Sequence, residues 1–182
     1  MAQGADTAVF FFGGHGVQDD GVNYLAPIDA GRTDITGKMD LGQFVRLQSV
    51  MVDLASGSGI RILIIDACRD NPGVIKRTAS RQDARARSVI TVRGLTREDV
   101  PVASQGGMFV AYAALPGEVA ADGVGRNSPF AGSLLKHLST PGLELRHLFI
   151  RVRAEVVAAT SKQQTPEVVD RLSKEFAFKP AQ

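Results

Sequence analysis

The chain has 182 residues, 44% of them hydrophobic and 22% charged, and its 21 basic side chains nearly balance 19 acidic ones for a net charge of +2. That length supports one domain with a proper core and leaves little room for two, while the near-neutral charge gives no sign of a nucleic-acid or membrane-surface partner. No apolar run approaches the roughly 20 residues a membrane span requires, and Met1–Asp6 lacks the basic start and apolar middle of a signal peptide.

Thr7–Phe12 is a short apolar run that leads through Gly13-Gly14 into His15-Gly16. It reads as a strand ending at a histidine set among glycines, where the backbone can bend sharply and a ligand can approach the main chain. Residues 17–37 carry a loop vocabulary around one apolar stretch, Val22–Ile28, and predict a small hairpin. Asp40 is placed to cap a helix with apolar positions Leu41, Phe44, Val45, Leu47, Met51 and Leu54, closed by Ser56-Gly57-Ser58-Gly59.

Ile60–Ile65 follows at once, a β-branched and leucine run interrupted only by Arg61, as expected of a strand buried on both faces. Its C-terminal edge delivers Asp66, Cys68, Arg69 and Asp70, and in open α/β sheets that edge is where ligands bind. Strand, loop, helix and strand form the right-handed crossover unit of a parallel sheet, so the ends of the two strands, and with them His15 and Cys68, are expected side by side. Cys68 is the only cysteine, which rules out a disulfide within the chain and leaves a small core residue or a nucleophile. A histidine within reach would turn this thiol, with an ordinary pKa near about 8.5, into a thiolate at neutral pH. The main-chain N–H groups of Gly16 and Cys68 could then form an oxyanion hole.

Between Gly73 and Gly106 the character changes. Seven of the 21 basic residues fall here, without one aromatic side chain for base stacking, which favours an exposed surface linker open to proteolytic nicking over a nucleic-acid patch. Gly107–Ala114 reads as the next buried strand, and Leu115–Ala120 turns out of it. Asn127 or Ser128 caps a helix with Pro129 in its first turn and Phe130, Leu134, Leu135 and Leu138 as its buried stripe. A second helix turns Leu145, Leu148, Phe149, Val152 and Val156 inward and Arg146, Arg151, Arg153 and Glu155 outward. His137 and His147 read as surface residues of these helices. One Cys and three His without ligand spacing argue against a metal centre. Gln163–Pro166 breaks the helical pattern, and Phe176-Ala177-Phe178 alternates like a final edge strand.

Phe11–Gln18, Asn23–Asp29 and Asp66–Pro72, with Ala111–Gly117, Gly125–Phe130 and Gln164-Thr165-Pro166 further on, resemble the bacterial caspase-like, metacaspase-related cysteine peptidases of the caspase–hemoglobinase group. The likeness covers nearly the whole chain and implies a three-layer α/β fold, a mostly parallel central sheet flanked by helices, in a single domain over 1–182. Residues 1–72 would be the large-segment part, 73–106 the linker and 107–182 the small-segment part. It implies His15 and Cys68 as the catalytic dyad, Gly16 and Cys68 as the oxyanion hole, and the strand ending at Ala114 as one wall of the substrate cleft. Asp66 either caps the following turn or lies in the floor of the pocket for the residue before the cut bond. In the second role it implies cleavage of protein or peptide substrates after arginine or lysine, with Arg77, Arg81, Arg85 and Arg87 as candidate self-cleavage sites. No cofactor is required. Some relatives use calcium, which Asp19, Asp20, Asp29 and Asp34 could bind, but their spacing is not that of an EF-hand and solvated loop acids is the preferred reading.

In the family the histidine strand is preceded by two further strands, which are not found here, so the chain is expected to lack the N-terminal part of the domain. Thr7–Phe12 is then expected to present an exposed apolar edge for a missing segment or a second copy to cover. A catalytically inactive regulatory or protein-binding module is the alternative to a peptidase. The free cysteine suggests the cytoplasm.

Overall fold

Two apolar strands running side by side in the same direction are the axis of the structure. In the computed structural model, residues 4–30, 40–68, 95, 99–101, 105–116, 118, 120–123 and 125–181 are described, Cys68 by its backbone alone. Strand β1 (Thr7–Asp19) pairs in parallel with β4 (Ile60–Cys68), and β4 in parallel with β5 (Met108–Tyr112). Three short strands extend this parallel centre antiparallel, β2 (Val22–Leu25) and β3 (Val45–Arg46) on one side and β6 (Glu167–Asp170) on the other, giving the order β3-β2-β1-β4-β5-β6. The expected hairpin is β1–β2, turned by Asp20 and Gly21 at φ of 46° and 80°, the left-handed pair that an Asp-Gly turn accommodates.

Alternation along β4 builds a core on each side of the sheet. Ile60, Ile62 and Ile64 meet helices α2 (Pro129–Leu138) and α3 (Leu145–Ala159) through Phe130, Leu134, Phe149 and Val152. Leu63, Ile65 and Ala67 meet α1 (Leu47–Ala55) through Leu47 and Met51, with Leu95 alongside. Phe149 stacks obliquely on Phe109 of β5 with ring centroids 5.1 Å apart, joining α3 to the sheet. The result is the three-layer α/β arrangement the sequence predicts.

Several local expectations are corrected. Asp40 accepts the Gly42 N–H at 3.1 Å and caps only a 3-10 turn over Leu41–Gln43. The chain then enters β3, where β-branched Val45 pairs with Leu25, and α1 begins at Leu47. On α2 the buried stripe runs through Phe130, Ser133 and Leu134, while Leu135 is 56% exposed because it lies 100° further round the helix. The last strand of the sheet is Glu167–Asp170, not Phe176–Phe178, which makes a single bridge at Ala177 and stacks its two rings edge to face. Arg146 of α3 holds that strand in place, its Nε donating to Asp170 at 2.5 Å. Arg61 does not interrupt β4 at all. Its buried guanidinium donates to the carbonyls of Ala5, Leu54 and Ile60 at 3.0–3.1 Å, at the C-terminal end of α1 where a cation suits the helix dipole. A Cβ at Gly57 would collide with that guanidinium, so a side chain there would displace Arg61 from its hydrogen bonds.

His137 is half-buried rather than on the surface. Its Nε2 lies 3.0 Å from Glu155, which also accepts from Ser133 Oγ at 2.8 Å and Lys136 Nζ at 3.1 Å, so one carboxylate fastens α2 to α3. The Ser133 hydroxyl first, then Lys136 and His137, pull the Glu155 carboxyl from its ordinary value of 4.5 down to about 2. A depressed carboxyl stabilises the fold above its unfolded pKa and loses that contribution as pH falls through the folded one. Thermal unfolding followed from pH 7 to pH 2 should therefore show Glu155→Gln melting below the parent at pH 7, with the two curves converging as the pH falls from 4.5 towards 2; parallel curves would contradict the staple.

Candidate active site

The parallel register of β1 and β4 runs from Thr7 opposite Ile60 to Gly13 opposite Asp66 and His15 opposite Cys68. Adjacent strands lie roughly 4.8 Å apart, so the histidine and the cysteine are immediate backbone neighbours where β4 ends; β1 does not end at the histidine as expected but runs on to Asp19, because Gly16–Asp19 find partners in β2. The His15 side chain is exposed, and its carbonyl accepts the Ala26 N–H at 2.9 Å, fastening the end of β2 beside it. Gly16 is buried beneath Leu95, whose methyl carbons would lie 3.1 Å from any Cβ placed there.

Beside His15 opens a cleft of about 320 Å³ whose near side is the bare backbone of Gly13 and Gly14. Asp66 lines it, on the face of β4 that carries Ile60, Ile62 and Ile64. The Ser128 hydroxyl donates to Asp66 Oδ2 at 2.5 Å and accepts the Ala131 N–H at 2.9 Å, so the residue that caps α2 also holds the carboxylate. Asp66 therefore bonds to α2's cap as well as lining the cleft. The far wall is Ala120, Ala121 and Asp122. Burial raises the Asp66 pKa above its ordinary 3.8, the Ser128 hydrogen bond pulls it back in part, and the charge of Asp122 raises it again. Among the described residues no lysine or arginine lines the cleft. Two carboxylates, Asp66 and Asp122, thus line one concave site, and negative charge gathered there is complementary to a cationic ligand.

The family model described as the caspase domain matches residues 1–177. The chain belongs to the caspase-domain family. Members are cysteine peptidases. Among solved structures, caspase-1 from Spodoptera frugiperda superposes with a TM-score of 0.52 at 14% sequence identity, over 96% of this chain and 63% of that one. At that identity the likeness concerns the fold, and this caspase domain spans under two thirds of that chain. Comparison with curated proteins gives no match.

Within the caspase domain, His15, Gly16, Asp66 and the backbone of Cys68 come together at one sheet edge, and Ala114 does not present a side chain there, being buried in the core at 1% exposure. Arg69, Asp70, Asp34 and the candidate self-cleavage sites Arg77, Arg81, Arg85 and Arg87 lie outside the described residues, as does nearly all of 73–106. Among the described residues no three His, Cys, Asp or Glu side chains converge as a metal site, and no helix is long and apolar enough to cross a membrane.

Sequence reasoning missed Ser128 as a partner of Asp66 and Asp122 as a wall of the cleft, since 62 residues separate Asp66 from Ser128 and only the fold joins them. It also missed Gln164, whose break of the helical pattern was the available signal.

A carboxyl raised by burial favours the fold when protonated and loses that stability as pH rises through its folded pKa. Asp66→Asn, which keeps an acceptor for Ser128, should thus raise the melting temperature at pH 7, by about 2–4 °C for each kcal/mol relieved in a chain of this length. The gain should shrink on acidification. An unchanged or lower melting temperature at neutral pH would contradict an uncompensated carboxylate.

Proposed function

We propose that this domain is a cysteine endopeptidase with a His15–Cys68 dyad, cleaving after arginine or lysine. The observation that carries the reading is the register that sets His15 opposite Cys68 immediately beside a cleft holding Asp66 and Asp122. In this mechanism the Cys68 thiolate attacks the scissile carbonyl and the oxyanion is held by the main-chain N–H groups of Gly16 and Cys68. His15 protonates the leaving amine, and water then releases the acyl-enzyme. The substrate's basic side chain enters the cleft and neutralises Asp66, an ion pair formed where water is partly excluded and hence discriminating. The chemistry needs no cofactor, and its substrates are proteins or peptides.

Hydrolysis of fluorogenic peptides ending in arginine or aspartate, with and without calcium, tests this. Arginine should be preferred, Cys68→Ala should lower kcat at least about 10³-fold, and Asp66→Asn should lower kcat/KM for the arginine peptide about 10²-fold. A preference for aspartate, or activity that survives Cys68→Ala, would contradict the assignment.

The same preference makes Arg77, Arg81, Arg85 and Arg87 self-cleavage sites. Intact-mass spectrometry of purified protein should show fragments ending at one or more of them, absent from Cys68→Ala; identical intact masses would contradict it.

A second reading, a protein-binding module, is favoured by one feature. Among the described residues β1 pairs between Thr7 and Phe12 with β4 alone, and Val9 and Phe11 of that stretch are 48% and 50% exposed. Such a stretch accepts an added strand, from a partner or a second copy of the chain.

A further inference from the structure

We propose that Gln164 is a positioning residue for the cleft, setting the wall that carries Asp122 at a fixed distance from the floor that carries Asp66; this rests on the basic-pocket reading above. Gln164 is 1% exposed. A glutamine is seldom so buried unless both ends of its amide are satisfied. Here Nε2 donates to the Ala113 carbonyl at 2.8 Å and Oε1 accepts the Ala121 N–H at 3.0 Å.

Those bonds complete a relay across the site. The Ala113 N–H donates to the carbonyl of Ile65 at 2.9 Å, one residue before Asp66, and Ala121 directly precedes Asp122. One side chain therefore links the strand bearing the first carboxylate to the loop bearing the second. The neighbouring Thr165 N–H donates to Glu118 Oε2 at 2.7 Å, a second strap on the same loop.

The route to this position is itself strongly determined. After α3 the chain reverses through Ser161 and Lys162, at φ of 51° and 66°, a left-handed pair unusual for residues other than glycine. The Thr160 hydroxyl closes the turn by donating to Val156 O at 2.8 Å and accepting the Gln164 N–H at 3.2 Å. Residues 120–123 form no helix or strand of their own, and the Gln164 side chain is one of the ties that hold this loop to the sheet.

The full chain is compared, at mildly acidic pH, with Gln164→Met, which has neither amide end, and Gln164→Glu, which when protonated keeps an acceptor for Ala121 and a donor for Ala113. In the parent the Ala121 amide should be protected from hydrogen exchange despite lying in a loop; in Gln164→Met it should exchange at least about tenfold faster, and in Gln164→Glu near the parent rate. KM for the arginine-ended peptide should rise at least about tenfold in Gln164→Met with kcat falling less than about threefold, and Gln164→Glu should recover most of the loss. Alkylation of Cys68 by iodoacetamide, which does not use the cleft, should stay within about twofold.

An unprotected Ala121 amide in the parent overturns the strap even where Gln164→Met fails to fold. A fall in kcat and alkylation in step with KM overturns the positioning role in favour of a general structural one. A parent that neither hydrolyses the arginine peptide nor binds benzamidine overturns the basic-pocket reading and the pocket role of Gln164 with it. In that parent a protected Ala121 identifies a purely structural strap, which separates the two failures.

Discussion

The parallel pairing of β1 with β4 is the constraint on which the rest depends. Two strands in one direction must end at the same edge of the sheet, and their hydrogen-bond register decides which residues of the two meet there. Here it brings Gly13 to Asp66 and His15 to Cys68 across 53 residues of chain. Slipping that pairing by one residue would turn Ile62 and Ile64 away from α2 and α3 and Leu63 and Ile65 away from α1. The core that buries both faces of β4 therefore also enforces the geometry at its tip.

Beyond the last isoleucine the same strand carries a carboxylate into a place that disfavours its charge. Burial raises Asp66, Asp122 raises it further, and the Ser128 hydroxyl and the Ala131 backbone N–H oppose them. Such a group costs the fold stability when ionised, and that cost falls when a cation arrives. Among the described residues the groups that oppose that cost come from the start of α2, Ser128 and Ala131, and not from a basic side chain. Glu155 is the contrast. It too is a carboxylate beside α2, but Ser133, Lys136 and His137 surround it, its pKa falls to about 2, and it fastens two helices together.

The centre of the fold was legible because periodicity is a direct image of burial. Ile60–Ile65, Gly107–Ala114 and the inward face of α3 could be read as what they are, and so could the hairpin at Asp20-Gly21. The pairing of His15 with Cys68 followed from one topological rule, since a strand–helix–strand unit leaves two C-terminal ends side by side. What was not legible depends on partners distant in sequence. Phe44 and Val45 fit a helical spacing, but Val45 finds a strand partner in Leu25, which no local pattern reveals. Glu167–Asp170 becomes the edge strand because β5 is available and Arg146 holds Asp170, while the more strand-like Phe176–Phe178 has only Glu144 to bridge. Within the site, Asp66 and Cys68 stood out by their place after an apolar run. Ser128 was legible as a helix cap and Gln164 as a break in a helical pattern, but their roles beside the site, like that of Asp122, run through contacts with residues distant in sequence that no local pattern reveals.

The most direct measurement of the central claim, that His15 and Cys68 act on one another at the sheet edge, is the pH dependence of Cys68 alkylation, free of interference because the chain has no other cysteine. In the parent the thiol should titrate well below the roughly 8.5 of a free cysteine, and in His15→Ala it should return to about that value. The same titration midpoint in both proteins would show that the imidazole does not reach the sulfur and would contradict the account.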